Sequence, residues 1–534
     1  MKRPGVGIGA LIGFLLTAPL IAILFLGWRW AGLPFVPFDV FDELSRRLPG
    51  PLITRSIDAM VVLIRALHLG ATGTVAKAAE QTMAVVAFLG MGVIAAVLLF
   101  GVRRRTEGPS YLSGLFLGLI IGVPVAVAVI HGRTATGQPA VGVLWVLALL
   151  LGWGLMLAWI HDWPASSSPV GRETATVEAL NRRQLLIRLG EASAVVTVAG
   201  AVVGALKTQP GQTSTASEAA AQRWSTTHRL PNAQAEVEPA PGTRPEFTPL
   251  EMHYRIDINT APPVIRESEW KLSITGLVER PLDLTLEEIR RYEPKDQFVT
   301  LSCISNLVGG DLIGTTRWTG VSLQRILADV RPLADATHLK ITSADGFFET
   351  VALETVRTDE RVMLAYAWDG VALLPEHGFP LRIYIPDRYG MKQPKWIRSI
   401  EAIDHSEAGY WVERGWDAVA RMRATSVIDT ISSNMMIVNA GGTVVPIGGI
   451  AHAGARGISK VQLRVDDGPW SDARLRTPLS TTTWVIWRYD WPFQAGRHTF
   501  TVRCFESDGT PQIDAEAPPH PSGATGLDIK RVML

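Results

Sequence analysis

The chain has 534 residues and a net charge of only +1. It is too long for one domain and too nearly neutral for an electrostatic nucleic-acid binder, which carries a strong basic excess. With 47% hydrophobic and 19% charged residues, part of it is expected in lipid, and its two cysteines exclude a disulfide framework or a zinc cluster.

Residues 6–28, 82–101, 112–131 and 140–160 are nearly uncharged apolar runs, each of roughly the 20 residues that cross a bilayer. A fifth, from Gly190 to Leu206, is shorter and rich in Ala, Val and Gly. The spacing Gly114-x-x-x-Gly118-x-x-x-Gly122 allows close helix contact, or reflects only how common glycine is in membrane helices. Lys2 and Arg3, then Arg103-Arg104-Arg105, then Arg172, Arg182, Arg183 and Arg188 mark cytoplasmic flanks. Five spans from a cytoplasmic start make a multi-pass protein of the cytoplasmic membrane, with its C-terminal half on the periplasmic or extracellular side. The loop from Arg29 to Gln81 reads as amphipathic helices on the outer surface. Asn181-Arg182-Arg183-Gln184-Leu185-Leu186 is similar to a twin-arginine export signal, and ordinary flanking arginines would look the same. His68, His131 and His161 do not face one another from within the spans, which argues against a haem. No Asp, Glu or Lys lies mid-span to mark an ion pathway.

Lys207 to Pro249 is rich in Ser, Thr, Ala, Pro, Gln and Glu without apolar periodicity, and reads as a solvated tether. From Trp270 to about Ala420, strands and helices mix without regular alternation, as in an α+β domain. Hairpins are expected around Asp345-Gly346 and between Ala365 and Leu373. The remaining residues form short strands with turn signals, the pattern of a β-sandwich. There Phe500, Val502 and Cys504 share one strand face, so Cys504 reads as core.

Phe298-Val-Thr-Leu-Ser-Cys303 delivers the other cysteine to the end of a β-type run, followed by a Gly-rich loop. A lone thiol there is either a buried structural cysteine or a ligand facing the mouth of a sheet.

Three blocks in this half resemble the sulfite oxidase-type molybdopterin oxidoreductases across roughly residues 247–534. They are Thr300-Leu-Ser-Cys303-Ile-Ser-Asn306 with Gly314-Thr-Thr-Arg317-Trp-Thr-Gly320, Leu374-Pro-Glu-His377-Gly-Phe-Pro-Leu-Arg382-Ile-Tyr-Ile-Pro386, and Tyr389-Gly-Met-Lys-Gln-Pro-Lys395-Trp396-Ile397. The resemblance implies a Mo-molybdopterin cofactor whose metal takes Cys303 as its protein ligand. It also implies cofactor contacts from Tyr254, Arg255, Thr342, His377, Arg382, Gln393, Pro394 and Lys395. Arg382 and Lys395 suit the pterin's phosphate, one as a planar fork and the other as a point charge. Asn306 either caps the loop or contacts substrate. Sulfite oxidases proper carry anion-binding arginines after the cysteine motif; here Leu307 and Val308 stand there, and Trp416 matches a family tyrosine. Sulfite is therefore not the expected substrate. Cys303, Arg255, Arg317 and Trp416 form the expected catalytic set, Arg414 is a further source of positive charge, and Trp411 and Trp416 are candidates for lining a pocket.

The expected architecture is an all-α transmembrane bundle (1–206), a flexible linker (207–246), an α+β molybdopterin-binding catalytic domain (247–420) and an immunoglobulin-like, dimerisation-type sandwich (421–534), which brings a homodimer with it. The expected function is two-electron or oxygen-atom transfer to or from a small-molecule substrate outside the cytoplasmic membrane. In the absence of Cys-x-x-Cys-His or iron–sulfur spacing, its electron partner is an external redox carrier or a quinone met at the helices. Rival readings are an inactive molybdoenzyme fold used for surface binding or assembly, and a sensory ectodomain on a transporter.

Overall fold

The structure is a computed structural model. It describes residues 5–67, 70–103, 110–131, 134, 138–162, 174–206, 223–439 and 442–534. His68, Arg104, Arg105, Arg172, the side chains of Arg182 and Arg183, and tether residues 207–222 lie outside the described residues. The chain divides into two compact units, Met1–Leu48 with Lys77–Ala216 and Asp257–Val264, and Pro49–Ala76 with Ser217–Ile256 and Ile265–Leu534.

The first unit is helical. Helices α1 (Val6–Ala31), α2 (Val36–Arg47), α4 (Thr72–Arg103, from Lys77), α5 (Ser110–His131), α6 (Pro139–Asp162) and α7 (Thr174–Leu206) build it, while α3 (Gly50–Ala66) falls in the second unit. Five stretches among the described residues are long and apolar enough to cross a membrane: α1, α4, α5, α6 and Leu186–Val203 within α7. Helices α5 and α6 meet at their glycines. A Cβ on Gly114 would stand 2.4 Å from the Gly154 carbonyl oxygen, and one on Gly118 2.8 Å from that of Leu150. The glycine spacing is thus a packing seam, since only hydrogen side chains let these backbones approach. Helix α1 stops at Gly32 (φ 63°), and Leu33 N–H returns to the Gly27 carbonyl (3.2 Å). The short α2 then begins at an aromatic cluster of Trp28, Phe35 and Phe38.

The described residues of the second unit form four sheets. One has the order β2 (Leu282–Leu284), β1 (Leu272–Gly276), β10 (Ile397–Ile403), β5 (His338–Ser343), β6 (Phe348–Ala352). Another runs β3 (Lys295–Ser302), β4 (Ile313–Ser322), β7 (Met363–Trp368), β8 (Val371–Ala372), with β9 (Arg382–Tyr384) also on β7. Helices α8 (Leu286–Arg290), α9 (Leu323–Val330) and α10 (Leu353–Thr358) pack with them. One apolar core joins the two sheets through Leu272, Ile341 and Ile400 on the first and Val321, Leu364 and Ile383 on the second. Helix α8 starts from a capping box, Thr285 with Glu288. Both expected hairpins are present, β5–β6 turning at Gly346 (φ 82°) and β7–β8 at Gly370 (φ 81°).

Towards the C-terminus, β11 (Thr425–Ile431), β13 (Gly442–His452), β17 (Val485–Pro492) and β16 (Arg474–Leu475) form a sheet, with β12 (Ile437–Asn439) beside β13. The last sheet is β15 (Ser471–Asp472), β14 (Ile458–Val465), β18 (Arg497–Glu506), β19 (Asp528–Met533). The two share a core in which Val445, Ile447 and Trp487 meet Val461, Phe500, Val502 and Cys504. Cys504 is fully buried there.

The tether expectation needs correcting from Arg223 onward. Ser225 N–H and Oγ both reach the Asp369 carboxylate (2.8 and 2.7 Å), Arg244 pairs with Asp429 (2.6 Å) and Thr248 N–H donates to the Thr315 carbonyl (2.7 Å). Glu246, buried, accepts from Arg476 (3.0 Å) and from Asn232. Low apolar content hid this, because the segment is held by hydrogen bonds and ion pairs to the sheets, which hydrophobic periodicity does not report.

Candidate active site

Strand β3 brings Cys303 to the end of its sheet, and the loop beyond is closed by short-range bonds. Cys303 N–H donates to the Leu312 carbonyl (2.9 Å), and Asn306 Oδ1 accepts Leu312 N–H (3.0 Å). A Cβ on Gly310 would collide with the Asn306 amide. Asn306 therefore caps the cysteine loop. On the other side of β3, Thr300 N–H donates to the Thr482 carbonyl (3.1 Å) and Thr300 Oγ1 accepts Trp484 N–H (2.9 Å), which stitches the strand to the C-terminal sheets.

Cys303 Sγ lies 3.0 Å from Ser305 Oγ and is 8% exposed. Burial pushes the thiol up, partly offset by the Ser305 hydroxyl and the Ser305 and Ile304 N–H groups. Two tyrosines lie near enough to feel its charge. Burial, then the neighbouring sulfur, raises Tyr254. Burial pushes Tyr389 up to about 12, and Cys303 contributes there too. Tyr389 Oη accepts Arg423 N–H (3.1 Å). A Cβ on Gly390 would come 3.0 Å from the Tyr254 hydroxyl, so the absence of a side chain there leaves that hydroxyl its room.

A second cluster sits beside Tyr254. The His253 ring meets Trp318, Trp368 and His377 at centroid distances of 6.2, 5.5 and 5.7 Å. Burial lowers His253 to about 4. His377 is pushed well below its usual range by burial, then by the charges of His253, Lys395, Arg382 and Arg255. Both imidazoles are therefore neutral near pH 7. Arg382 lies buried over the Trp318 ring (4.8 Å) and donates to the His377 carbonyl (3.1 Å). It has no carboxylate partner among the described residues, and burial lowers it to about 10. Lys395 Nζ donates to the Glu376 carbonyl (2.9 Å). A Cβ on Gly378 would touch both Arg382 and Lys395 Cβ atoms (3.1 and 3.2 Å), so their stems run side by side.

The structure thus brings Cys303, Tyr254, Arg255, His377, Arg382 and Lys395 into one neighbourhood. Gln393 joins through its loop, where Nε2 donates to the Arg388 carbonyl (2.7 Å), and the Pro394 carbonyl accepts Ile383 N–H (3.2 Å). Thr342 stays in β5 opposite Ser399 and Phe348. Trp416, 6% exposed, packs with Ile304, Tyr389, Met391 and Met422 next to the cysteine. Arg317 is not brought to this neighbourhood. It alternates away from Trp318 along β4, pairs with Asp296 (2.6 Å) and covers Trp224 (5.2 Å). Arg414 lies 3.6 Å over the Tyr410 ring and donates to the Tyr410 carbonyl (2.8 Å).

Sequence reasoning missed four contributors. His253 directly precedes Tyr254, and Tyr389 opens the third quoted block. The buried ion pair Glu349–Lys392 ties β6 to the Gly390–Lys395 loop. His520 meets the Trp416 ring 5.0 Å away; its Pro-Pro-His-Pro-Ser-Gly context marks a turn but not a site.

The cofactor implied by the motifs fits these residues. A buried guanidinium without a counter-ion is costly, and a phosphate would neutralise Arg382 with Lys395 beside it. His253 Nε2, Trp318 Nε1, Trp368 Nε1 and Gln393 Oε1 are buried without a protein hydrogen-bond partner, as suits a polar heterocycle with donors and acceptors on its edge.

Residues 259–411 match the family model described as "Oxidoreductase molybdopterin binding domain". "Uncharacterized oxidoreductase YuiH" of Bacillus subtilis (strain 168) is 30% identical over 152 residues, 28% of this chain and 73% of that protein. "Sulfite oxidase" of Arabidopsis thaliana is 26% identical over 274 residues, 42% of this chain and 69% of that protein. Among solved structures, the sulfane dehydrogenase SoxCD from Paracoccus pantotrophus aligns with 61% of this chain and 91% of its own at 21% identity and a TM-score of 0.47. The chain belongs to the sulfite oxidase-type molybdopterin oxidoreductases, enzymes whose cofactor is Mo-molybdopterin.

Proposed function

We propose that the protein is a membrane-anchored molybdoenzyme that carries out two-electron or oxygen-atom transfer on a small-molecule substrate outside the cytoplasmic membrane, with the Cys303 thiolate as the protein ligand of the metal. When bound, the cofactor supplies the two-electron redox centre. The chain's residues hold and shape its surroundings. Arg382 and Lys395 would neutralise its phosphate, and neutral His253 and His377 with the Gln393 amide oxygen would offer it polar contacts. Tyr254 and Tyr389 remain protonated in the neighbourhood of the sulfur. Trp416, with Ile304, walls the side where substrate enters.

The observation that carries this reading is Cys303 itself. Of the chain's two cysteines, Cys504 is locked in a strand core, whereas Cys303 sits where a strand ends, near Tyr254 and Tyr389, and Tyr254 in turn neighbours the buried Arg382, which has no carboxylate partner among the described residues. Burial keeps the free thiol protonated, and a bound metal reverses that by replacing the proton. Leu307 and Val308 leave the loop without an anion cage, so the substrate is less highly charged than sulfite.

The domain limits proposed are a helical bundle with five spans within 1–206, from which Pro49–Ala76 departs, a linker that ends before Arg223, a catalytic domain over 247–420 with residues 223–246 bonded to the sheets, and an immunoglobulin-like sandwich over 421–534 that pairs two chains. Its electrons pass to or from an external carrier or quinone. A twin-arginine step at Arg182-Arg183 would deliver the loaded domain to the outer face. Metal analysis of detergent-purified protein tests the central claim. Molybdenum stoichiometric with chain, lost in Cys303→Ala, is expected; an equal load in that variant would refute the ligation. Protease accessibility in spheroplasts tests the sidedness.

A further inference from the structure

The catalytic sequence gives up one segment, Asp257–Val264, to the helical unit, and this segment directly follows Tyr254 and Arg255. It forms no helix or strand of its own, so its backbone groups need other partners. Side chains of α2 and α4 supply them. Lys77 Nζ donates to the Asn259 carbonyl (2.7 Å) and the Asp257 carbonyl (3.3 Å). Gln81 Nε2 donates to the Thr260 carbonyl (2.8 Å). Asp42 accepts Thr260 N–H (3.0 Å) and its hydroxyl (3.2 Å), and Arg46 donates to Asn259 Oδ1 (2.8 Å). Asn259 and Thr260 are essentially fully buried, and Ala261 enters the core of the helical bundle.

The residues just before Lys77 are shaped for the same stretch of chain. Within the second unit, a Cβ on Gly73 would stand 2.8 Å from the Arg255 carbonyl oxygen and 3.2 Å from its nitrogen. The neighbouring Thr72 N–H donates to the Asp311 carboxylate (2.7 Å), on the loop that Cys303 opens. The first turns of α4 therefore touch the backbone of Arg255 and the cysteine loop, and further along they hold residues 257–260.

We propose that the outer end of α4, together with α2, is a positioning element for the cofactor site. Lys77, Gln81 and Asp42 fix the chain downstream of Tyr254 and Arg255, and Gly73 and Thr72 seat Arg255 and the Cys303 loop. This rests on the cofactor reading above. The Tyr254 hydroxyl lies against Gly390, in the loop that carries Gln393 and Lys395, and Arg255 contributes charge at His377, so slack at 257–260 would be felt where the cofactor is gripped.

The test uses the full chain in detergent, loaded with cofactor, with Lys77→Met, Asp42→Ala, the conservative Lys77→Arg and, as control, Thr82→Ala on an exposed position of α4. Retained molybdenum is followed over time after dilution, and amide exchange is mapped by peptide. Lys77→Met and Asp42→Ala should lose molybdenum about tenfold faster than wild type, the factor that about 1.4 kcal/mol removes. Exchange should rise in peptides covering 253–260 but not in the C-terminal sheets. Lys77→Arg should recover most of the retention, and Thr82→Ala should match wild type. Wild-type retention in both Lys77→Met and Asp42→Ala overturns the proposal, as does faster exchange throughout the protein. A wild-type chain that carries no molybdenum would instead sink the cofactor reading, and the exchange map would then judge the clamp by itself.

Discussion

Trp416 and His520 meet edge to face, ring centroids 5.0 Å apart and planes at 74°, although more than a hundred residues separate them. The contact is fixed from both ends. Asp417 N–H donates to the Pro521 carbonyl (3.1 Å), and Ser522 Oγ donates to the Asp417 carboxylate (2.7 Å). A Cβ on Gly415 (φ 89°) would press on the His520 ring at 3.3 Å. Trp416 Nε1 is buried without a partner. Trp416 packs with Ile304, the residue after the cysteine, and the pair offers an indole N–H and an imidazole, both able to bind an acceptor oxygen.

From this follows a kinetic split. His520→Phe keeps the ring contact and loses the N–H, while His520→Gln keeps a donor. Against a panel of S-oxides, N-oxides, nitrate and sulfite, the turned-over substrate should show a KM about tenfold higher in His520→Phe, the cost of about one hydrogen bond. His520→Gln should stay near wild type, with molybdenum content unchanged in both. Wild-type KM in His520→Phe would reduce the residue to packing.

Arg382 gives a prediction with opposite signs in two measurements. Its buried cation has no carboxylate to answer it among the described residues, so the apo chain bears the cost of desolvation. Arg382→Met, purified from a strain unable to make the pterin, should melt higher than wild type under the same conditions, by the equivalent of about 1 kcal/mol or more. From a cofactor-competent strain the same variant should carry far less molybdenum. A lower melting point in the apo comparison would show that the guanidinium supports the fold instead of waiting for an anion.

Much of this site is legible in the sequence because it is built from short-range motifs. The strand before Cys303, the Asp345-Gly346 turn and the Arg382 and Lys395 segments each carry their own pattern. The errors come from long-range choices. Arg317 lies in a recognised block, yet strand parity places it with Phe298 on the face opposite Trp318, and β4 pairing with β3 (Phe298 opposite Arg317) decides that. Residues 223–249 look like solvent-exposed linker because they lack apolar periodicity, but Arg476 and Asp429, some two hundred residues on, hold them. Nor does any local signal reveal that Asp257–Val264 leaves the catalytic unit while Pro49–Ala76 joins it.

Acid sensitivity should trace to neutral buried histidines. Burial, then the Arg456 charge, lowers His452 to about 3, and His253 sits at about 4. In the unfolded chain each takes up a proton below about pH 6.5, so the unfolded state binds more protons than the native one. Stability is therefore present above that pH and falls as pH drops towards the folded values, by about 1.4 kcal/mol per pH unit for each histidine. His452→Gln should make the fall between about pH 6 and pH 4 shallower by about one proton, measured by thermal unfolding across pH. An unchanged slope would place a proton on His452 in the native state.

The membrane half offers a comparison within one helix. Gly152 and Gly154 are two residues apart in α6, and a Cβ meets nothing within 4 Å at the first but would lie 2.3 Å from the Gly114 carbonyl oxygen at the second. A valine at 154 must push α5 away, since the obstacle is backbone and cannot rotate aside, and overpacking of this kind costs about 1–3 kcal/mol. The same side chain at 152 projects into open space. Gly154→Val should therefore lower the melting temperature in detergent and the yield of folded protein, while Gly152→Val stays close to wild type. Equal effects at the two positions would mean that helix propensity, not the α5–α6 seam, sets the need for glycine.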